Sequence, residues 1–329
     1  HGDASAPKRP GRVVVVLLDS LNRHLLGAWG SDEFETPNLD RFARESVVFD
    51  RHHVGSLPCI PARHDLLVGS LDFLWRPWGS IEVWEESITA SLRRSGVTTM
   101  LVTDHPHLFE TGGENYHSDF TAWEYLRGSE NDPWRTHADA TAVGAPALPA
   151  RPAPIHRPYD DSRTWFRDEA DFPGPRTMRA AAEWLDVSAP HHDRFLLLID
   201  EFDPHEPFDT PEPWASMYDA DWEGERLIWP PYAVGALERG VLTPREAAHI
   251  RCNYGSKLSM IDHWFGQVLD AVDRLGGDVA VMVCTDHGLY LGERDLFGKP
   301  GAPLWPELAR IPLMVRWPGV EPRRETALT

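Results

Sequence analysis

The chain has 329 residues, a length that allows one large domain or two ordinary ones. Its 42% apolar and 25% charged residues are typical of a soluble globular protein. A formal net charge of −19, from 51 acidic residues against 32 Lys and Arg, argues against general binding to nucleic acids or anionic membranes. We therefore predict no nucleic-acid partner and no membrane partner, and we leave a homo-oligomer open.

The cysteines and the first twelve residues indicate in which cellular compartment the protein is found. Cys59, Cys252 and Cys284 are odd in number and widely spaced, unlike the cysteines of a disulfide scaffold. Such cysteine usage favours a reducing compartment. Residues 1–12 are polar and lack the apolar core of a signal peptide. We therefore predict a cytoplasmic protein.

Strands and helices are predicted to alternate along the chain. Residues 13–18 (VVVVLL) form a continuous aliphatic run, typical of a strand that is buried on both faces, and Asp19 follows it. A helix is predicted over 36–43, with Thr36 as its cap and Pro37 at its first position. The further predicted elements, in order, are helix 87–94, strand 97–102, helix 175–187, strand 195–199, helix 243–275, strand 279–284 and strand 311–316.

This order of elements predicts the fold class. Strands and helices in repetition, with apolar strands, indicate a three-layer α/β/α sandwich around a mostly parallel sheet. The long helix 243–275 is predicted to begin with a capping box of Thr243 and Glu246. Residues 138–158 are rich in Ala and Pro without periodicity, and we predict a surface excursion there.

Polar side chains follow three of the predicted strands. Asp19 follows the first strand, residues 200–205 follow the strand at 195–199, and Asp286 and His287 follow the strand at 279–284. In α/β sheets the ligand sites lie at the carboxyl ends of the strands. We therefore expect these side chains to form one site at that edge of the sheet.

Six ordered segments carry a resemblance to a known family. The most specific is CIPAR at 59–63, with a cysteine two residues before a proline and four before an arginine. The other segments are VVVVLLDSLNRHLLGAWG at 13–30, TPNLDRFARES at 36–46, DPHEPF at 203–208, TDHGLYLGERDLFGK at 285–299 and RIPLMVRWPG at 310–319. Together they resemble the type I, formylglycine-dependent sulfatases of the alkaline phosphatase superfamily.

The resemblance implies an alkaline phosphatase-like catalytic domain over residues 12–329. The usual C-terminal subdomain of the family is then absent or truncated in this chain. It also implies that a formylglycine-generating enzyme converts Cys59 to formylglycine, which acts as the nucleophile, and that Arg63 holds this group. Without that modification, Cys59 would be only a small buried thiol.

A metal site is also implied by the resemblance. Asp19, Asp286 and His287, together with the modified Cys59, would bind one divalent cation, with Ca²⁺, Mn²⁺ and Mg²⁺ left open. Most sulfatases have two consecutive aspartates where this chain has Asp19 and Ser20. A single acidic residue there is a feature of choline-sulfatase-like and phosphonate-monoester-hydrolase-like relatives.

The remaining implied residues face the substrate anion. His205 matches the family histidine that contacts the transferred group and protonates the leaving oxygen, and Lys299 matches the lysine that neutralises a substrate oxygen. After the strand at 97–102, most sulfatases carry a lysine and a histidine that clamp the sulfate. Here the string is TDHPH at 103–107, and we predict that one or both of His105 and His107 replace the clamp, as neutral donors or as cations.

These residues predict a metal-dependent hydrolase of a small anionic ester. A sulfate ester is the first prediction, and a phosphodiester or phosphonate monoester hydrolysed at the same site is the alternative. Loss of the fixed lysine charge suits a substrate with a single negative charge, which both ester classes can provide. A third reading is a non-catalytic module that kept the fold and binds a cation or a protein in an acidic cleft.

Overall fold

The computed structural model describes residues 9–71, 76–141, 157–301 and 303–329. Most of the predicted Ala- and Pro-rich excursion, residues 142–156, lies outside the described residues. The strands are β1 (Arg12–Leu18), β2 (Val47–Arg51), β3 (Thr98–Thr103), β4 (Ala122–Tyr125), β5 (Phe195–Glu201), β6 (Ala233–Val234), β7 (Val279–Cys284), β8 (Tyr290–Leu291), β9 (Leu296–Gly298), β10 (Leu313–Arg316) and β11 (Arg323–Leu328). The α-helices are α1 (Pro37–Arg44), α2 (Cys59–Val68), α3 (Ile88–Arg94), α4 (Arg157–Arg163), α5 (Pro173–Val187), α6 (Pro244–Leu275) and α7 (Pro306–Ala309). Within the described ranges, none of these helices has both the length and the apolar sequence that crossing a bilayer requires.

Eight of the strands form one sheet in the order β11-β2-β10-β7-β1-β5-β3-β4. β1 lies between β5 and β7 and is parallel to both, with Val16 opposite Ile199 on one side and Val283 on the other. β3 lies parallel to β5 on its far side, and β4 lies parallel to β3. A central strand of this kind is covered on both faces, which explains the uninterrupted apolar run in β1.

β10 is shorter than predicted, and it is an antiparallel strand within the mostly parallel sheet. It begins at Leu313 rather than at residue 311, and it is antiparallel to both β7 and β2. β7 ends at the carboxyl edge of the sheet, and the chain reaches β10 through only 28 residues that include β8, β9 and α7. The chain therefore re-enters the sheet from the same edge and runs back, as an antiparallel neighbour does. The prediction of a mostly parallel sheet is otherwise confirmed.

The two faces of β1 belong to two different cores. Val14 and Val16 pack in a large core that α1, α5 and α6 share, whereas Val15 and Leu17 pack in a second core with Ile60 of α2. α3 lies beside α2 and β3. Because successive side chains of a strand point to opposite faces, the apolar run of β1 fills both cores. The predicted α/β/α layering is confirmed.

Helix caps show one confirmed and one wrong prediction. Thr243 and Glu246 form the predicted capping box at the start of α6. Thr36, predicted to cap α1, makes no side-chain cap hydrogen bond. Instead the Asp262 carboxylate of α6 accepts hydrogen bonds from the backbone N–H groups of Asn38 at 3.0 Å and Leu39 at 2.7 Å. A partner more than 200 residues away thus replaces the local cap.

A second, three-stranded antiparallel sheet lies next to the carboxyl edge of the main sheet. Its order is β6-β9-β8, and its register pairs Ala233 with Phe297 and Tyr290 with Gly298. Lys299 follows β9 directly. This small sheet therefore determines where the Lys299 ammonium lies relative to the strand ends.

Candidate active site

Three buried aspartates meet at the carboxyl edge of the main sheet. Asp19 follows β1, Asp286 lies two residues after the end of β7, and Asp200 is the last residue but one of β5. β1 lies between the other two strands, so the three carboxylates are neighbours in space. The structure thus brings Asp19 and Asp286 together as predicted.

Helix α2 carries Cys59 to this edge as its first residue. The Cys59 side chain is buried, and its Sγ lies 3.3 Å from His287 Nε2 and 3.6 Å from Lys299 Nζ. Arg63, one turn further along α2, donates from Nη1 to the Cys59 carbonyl at 3.0 Å. The CIPAR segment therefore forms a single helical turn with the thiol and the guanidinium on the same side.

The Arg63 guanidinium lies among the three carboxylates. Its Nε and Nη2 donate to Asp200 at 2.9 and 2.7 Å, Nη1 donates to Asp286 at 2.6 Å, and Nη2 lies 3.0 Å from Asp19. A bidentate pair of this kind fixes the plane of a guanidinium. Asp200 therefore sets the orientation in which Arg63 contacts the Cys59 carbonyl.

Burial and charge act in opposite directions on these groups. Burial opposes ionisation of Asp19, but the positive charge of Arg63 and the hydrogen bond from His105 help to hold the pKa of Asp19 well below its usual value. Burial, reinforced by the negative charge of Asp19, raises the pKa of the Cys59 thiol well above its usual value. Unmodified Cys59 is thus a protonated thiol at neutral pH and a poor nucleophile.

The His287 side chain is arranged like a metal-binding histidine. Its Nδ1 donates to the Gly288 carbonyl at 2.9 Å, so Nε2 carries a lone pair, and Nε2 faces Cys59. Burial lowers the pKa of His287, which keeps the ring neutral. A backbone acceptor that fixes the tautomer in this way is typical of histidines that ligate metals.

The predicted ligand set fits a divalent cation. One donor atom from each of Asp19, Cys59, Asp286 and His287 lies within 4.8 Å of the others, and all four side chains are buried. Two carboxylates and one imidazole nitrogen are donors that Mn²⁺ accepts, and a Cys59 oxygen, once modified, would add a hard ligand for Ca²⁺ or Mn²⁺. The site can therefore hold the cation that the sequence predicted.

Lys299 links the thiol to His205, since its Nζ lies 3.6 Å from Cys59 Sγ. Lys299 Nζ donates to His205 Nε2 at 2.8 Å, and His205 Nδ1 donates to the Glu206 carbonyl at 2.8 Å. The second carboxylate oxygen of Glu206 lies 3.3 Å from the same Nδ1. The structure thus places Lys299 next to Cys59, and His205 next to Lys299.

The two clamp histidines have different surroundings. His105 is fully buried, and its Nε2 lies 3.2 Å from Asp19. Burial and the nearby Arg63 lower the pKa of His105 well below its usual value, so it is a neutral donor at pH 7. Of the two forms that the sequence left open, this geometry favours the neutral one for His105.

His107 lies outside the contacts of the aspartate site. Its Nδ1 is 2.5 Å from Glu110 and its Nε2 is 3.1 Å from Glu130. Burial opposes its charge, but the two carboxylates raise its pKa to about 9. Both ring nitrogens already face carboxylates, so the structure gives no support for an anion clamp at His107.

Asp104, which occupies roughly the place of the family lysine, also points elsewhere. Its carboxylate accepts from Ser129 Oγ at 2.7 Å and from the Phe202 N–H at 2.8 Å. Asp104 therefore ties β3 to neighbouring loops and does not face Cys59.

Asp200 is a site residue that was not predicted. Residues 200–205 were expected at the end of a strand, but no role was predicted for Asp200. The signal was available, because Asp200 follows the apolar run of β5 just as Asp19 follows that of β1. Glu206 was also missed, and nothing in its local sequence indicates that it contacts His205.

Comparison with known proteins identifies the family of this arrangement. The family model for sulfatases matches residues 12–329. A choline-sulfatase from Rhizobium meliloti (strain 1021) is 26% identical over 333 residues, which cover 94% of this chain and 63% of that protein. PehA, a multifunctional alkaline phosphatase superfamily protein from Trinickia caryophylli, is 25% identical over 355 residues, which cover 89% of this chain and 65% of that protein.

Solved structures confirm the fold. A phosphonate monoester hydrolase from Silicibacter pomeroyi matches with a TM-score of 0.71 at 22% identity, covering 98% of this chain and 71% of that one. That likeness shows the alkaline phosphatase-like fold, as predicted. The chain spans just under two thirds of the length of the two curated relatives.

Proposed function

Because this chain belongs to the sulfatase family, we propose that it hydrolyses a small sulfate ester, using one divalent cation and a formylglycine made from Cys59. The observation that carries the proposal is the position of Cys59 Sγ, 3.3 Å from His287 Nε2 and 3.6 Å from Lys299 Nζ. Cys59 thus contacts both a candidate metal ligand, His287, and a candidate anion-binding cation, Lys299. Ester hydrolysis requires a nucleophile placed between such groups.

The cation would be held by Asp19, Asp286, His287 and the modified Cys59. When bound, a divalent ion withdraws charge from the oxygens that it contacts and lowers the pKa of a bound hydroxyl group. The neutral His287 ring and the ionised Asp19 are already in the protonation states that ligation needs. Ca²⁺ and Mn²⁺ are both compatible with these donors.

Modification of Cys59 would remove the main chemical weakness of the site. Formylglycine supplies an oxygen nucleophile in its hydrated form, whereas the buried thiol is protonated at neutral pH. Arg63, whose orientation is fixed by its bidentate pair with Asp200, would orient the modified Cys59 side chain. A formylglycine-generating enzyme is therefore the maturation partner that we propose.

Lys299 and His205 would act on the substrate. The Lys299 ammonium would neutralise a non-bridging oxygen of the ester. His205 commits Nδ1–H to the Glu206 carbonyl, so Nε2 is the atom that can hold a proton for the leaving oxygen. His105 would act through Asp19, to which it donates a hydrogen bond.

A second candidate is hydrolysis of a phosphodiester or phosphonate monoester at the same site. Among the described residues, the only fixed cation next to Cys59 on the anion-facing side is Lys299, and Asp104 points away. One fixed positive charge suits an ester with one negative charge. A sulfate ester and a phosphodiester both have one. The Rhizobium relative is named a choline-sulfatase, and the Silicibacter structure is that of a phosphonate monoester hydrolase.

The proposal is tested first at Cys59. When the protein is expressed with a formylglycine-generating enzyme, the peptide that contains Cys59 should lose about 18 Da, the change from thiol to aldehyde. Cys59→Ala should abolish turnover of an aryl sulfate, while Cys252→Ala and Cys284→Ala should retain it. Retained turnover in Cys59→Ala would exclude this residue as the nucleophile.

A paired assay decides between the two candidate functions. The modified protein is given an aryl sulfate and an aryl phosphodiester with the same leaving group, each with Ca²⁺ and with Mn²⁺. We expect a higher kcat/KM for the sulfate. A preference for the phosphodiester would establish the second candidate, and turnover of neither by the formylglycine-bearing protein would contradict both.

A further inference from the structure

Tyr232 is an exposed aromatic side chain whose position is nevertheless fixed. It is 52% exposed and directly precedes β6, which pairs with β9 in the small sheet. Its hydroxyl donates a short hydrogen bond to a carboxylate oxygen of Glu206, which is buried. About half of the residue's surface stays in solvent, so the side chain is open to contact with a ligand.

Gly298 makes the close approach of this ring possible. A Cβ at Gly298 would lie 2.4 Å from Tyr232 Cδ1, and the backbone of Gly298 has a φ of +73°. Both features favour glycine at this place, because it has no side chain and tolerates positive φ. The ring is thus held by the backbone of β9 at one end and by Glu206 at the other.

The ring stands beside the anion-facing residues. Lys299 Nζ lies 5.9 Å from the Tyr232 ring centroid, and the same ammonium lies 2.8 Å from His205 Nε2. An ester that places its anionic oxygens on Lys299 and its leaving oxygen on His205 must direct its organic group away from the buried aspartates. Tyr232, half-exposed and 5.9 Å from the same ammonium, offers an aromatic surface within reach of such a group.

We infer that Tyr232 is a platform for the leaving group, which selects esters with a flat ring, such as an aryl group, over small alkyl esters. This inference rests on the proposed function, since it names the substrate class of the same site. A preorganised aromatic face binds a flat group without losing side-chain freedom, and an alkyl group offers it little contact area. Glu206 is then a positioning residue for both Tyr232 and His205.

The test uses sulfonates, which resemble sulfate esters but are not hydrolysed, so it does not depend on turnover. Calorimetry measures the Kd of benzenesulfonate and of methanesulfonate for the full chain. We expect the parent to bind benzenesulfonate about tenfold more tightly. Tyr232→Leu should lose this preference while its methanesulfonate Kd stays within about threefold of the parent's. Tyr232→Phe should retain at least half of the preference on a logarithmic scale.

Trp123→Ala is the matched control, because Trp123 is a similarly exposed aromatic residue on the edge strand β4. It should keep the parent's preference. A Tyr232→Leu variant that still prefers benzenesulfonate, or a parent without a preference, would overturn the platform and leave the proposed hydrolysis intact. A parent that binds neither sulfonate also overturns the platform. Failure of the proposed function shows separately, as absent turnover of both ester classes.

Discussion

Two buried clusters in this protein combine arginine with aspartate, and their charges are balanced in opposite ways. In the first, the strand-end cluster, one guanidinium is shared by the three carboxylates of Asp19, Asp200 and Asp286. In the second, the Asp209 cluster, one carboxylate receives a hydrogen bond from Tyr159 at 2.9 Å, a short one from Arg163, and an ion pair with Arg226 at 3.5 Å.

The difference in charge balance distinguishes a candidate binding site, the strand-end cluster, from a structural contact, the Asp209 cluster. In the Asp209 cluster two guanidinium groups face one carboxylate, so the buried anion is fully compensated; although burial opposes its ionisation, Arg163 and Arg226 lower the pKa of Asp209. In the strand-end cluster the carboxylates outnumber the guanidinium three to one, and a nucleophile candidate lies among them. Buried charge of one sign is costly unless something neutralises it. The excess is therefore what a bound cation would compensate.

Replacing one aspartate in each cluster would test this contrast most strongly. With Mn²⁺ at about 100 times its Kd, the parent should gain about 2.7 kcal/mol of unfolding free energy, because the ion binds only the folded state. Asp19→Asn should lose this gain and at least about a thousandfold in kcat/KM, the loss of a ligand. Asp209→Asn should keep the metal-dependent gain but lose about 3 kcal/mol of stability, since it leaves the buried Arg163 without its carboxylate partner.

Thermal unfolding with and without Mn²⁺, followed by kinetics, measures both effects. Chelation of the parent should reproduce the Asp19→Asn phenotype. The contrast breaks if Asp19→Asn keeps the metal-dependent rise in Tm, or if Asp209→Asn loses it.

The Asp200→Asn variant tests whether Asp200 contributes to activity by orienting Arg63 within the strand-end cluster. An amide can accept only one of the two hydrogen bonds that Arg63 gives to Asp200, so the guanidinium loses its fixed plane. We expect kcat to fall about a hundredfold with little change in KM, since Asp200 acts through Arg63. Arg63→Lys and the double variant complete the cycle. Losses that simply add would show that Asp200 acts independently of Arg63.

A smaller effect is expected at His105, which donates to Asp19. His105→Leu removes the donor and should weaken Mn²⁺ binding about tenfold, as loss of a residue that orients a metal ligand does. His105→Gln retains an N–H donor of similar reach and should recover most of the affinity. Calorimetric Kd values decide the matter, and equal affinity in parent and His105→Leu would mean that Asp19 needs no such support.

The smallest effect on activity is expected at His107, whose charge is balanced by Glu110 and Glu130. Its folded pKa of about 9 lies above the usual 6.5, so its contribution to stability is fully present below about pH 6.5 and is lost as pH rises through about 9. His107→Gln should therefore cost about 1–2 kcal/mol at pH 6 and much less at pH 10. Urea unfolding of parent and variant measures this, and kcat/KM should change less than about threefold. A large loss of kcat/KM in His107→Gln would indicate that His107 takes part in catalysis.

The parts of the molecule that depend on local sequence were predictable. β7 has the predicted bounds, the capping box of α6 is where Thr243 and Glu246 indicated, and Asp19 and Asp286 meet because parallel strands end at one edge. The family segments further located Cys59, Arg63, His205 and Lys299, which lie together as the resemblance implied. Their roles stay predictions.

The parts that depend on distant partners were not predictable. Nothing near Thr36 indicates that Asp262 caps α1, and the direction of β10 follows from how the intervening chain returns to the sheet. The two histidines after β3 read alike in the sequence, yet one contacts Asp19 and the other contacts Glu130. Their difference arises from which neighbour each ring meets in three dimensions.

The central position of β1 has a consequence for how the protein is made. β1 is synthesised before both of its sheet neighbours, because β5 and β7 end 183 and 266 residues later along the chain. At the usual speed of synthesis, about 5–20 residues per second, the strand waits on the order of ten seconds or longer for a partner. During that interval the unpaired, apolar VVVVLL segment is prone to aggregate. We therefore expect chaperones to bind it. In the same interval the Cys59 thiol, buried in the finished fold, is still open to a modifying enzyme.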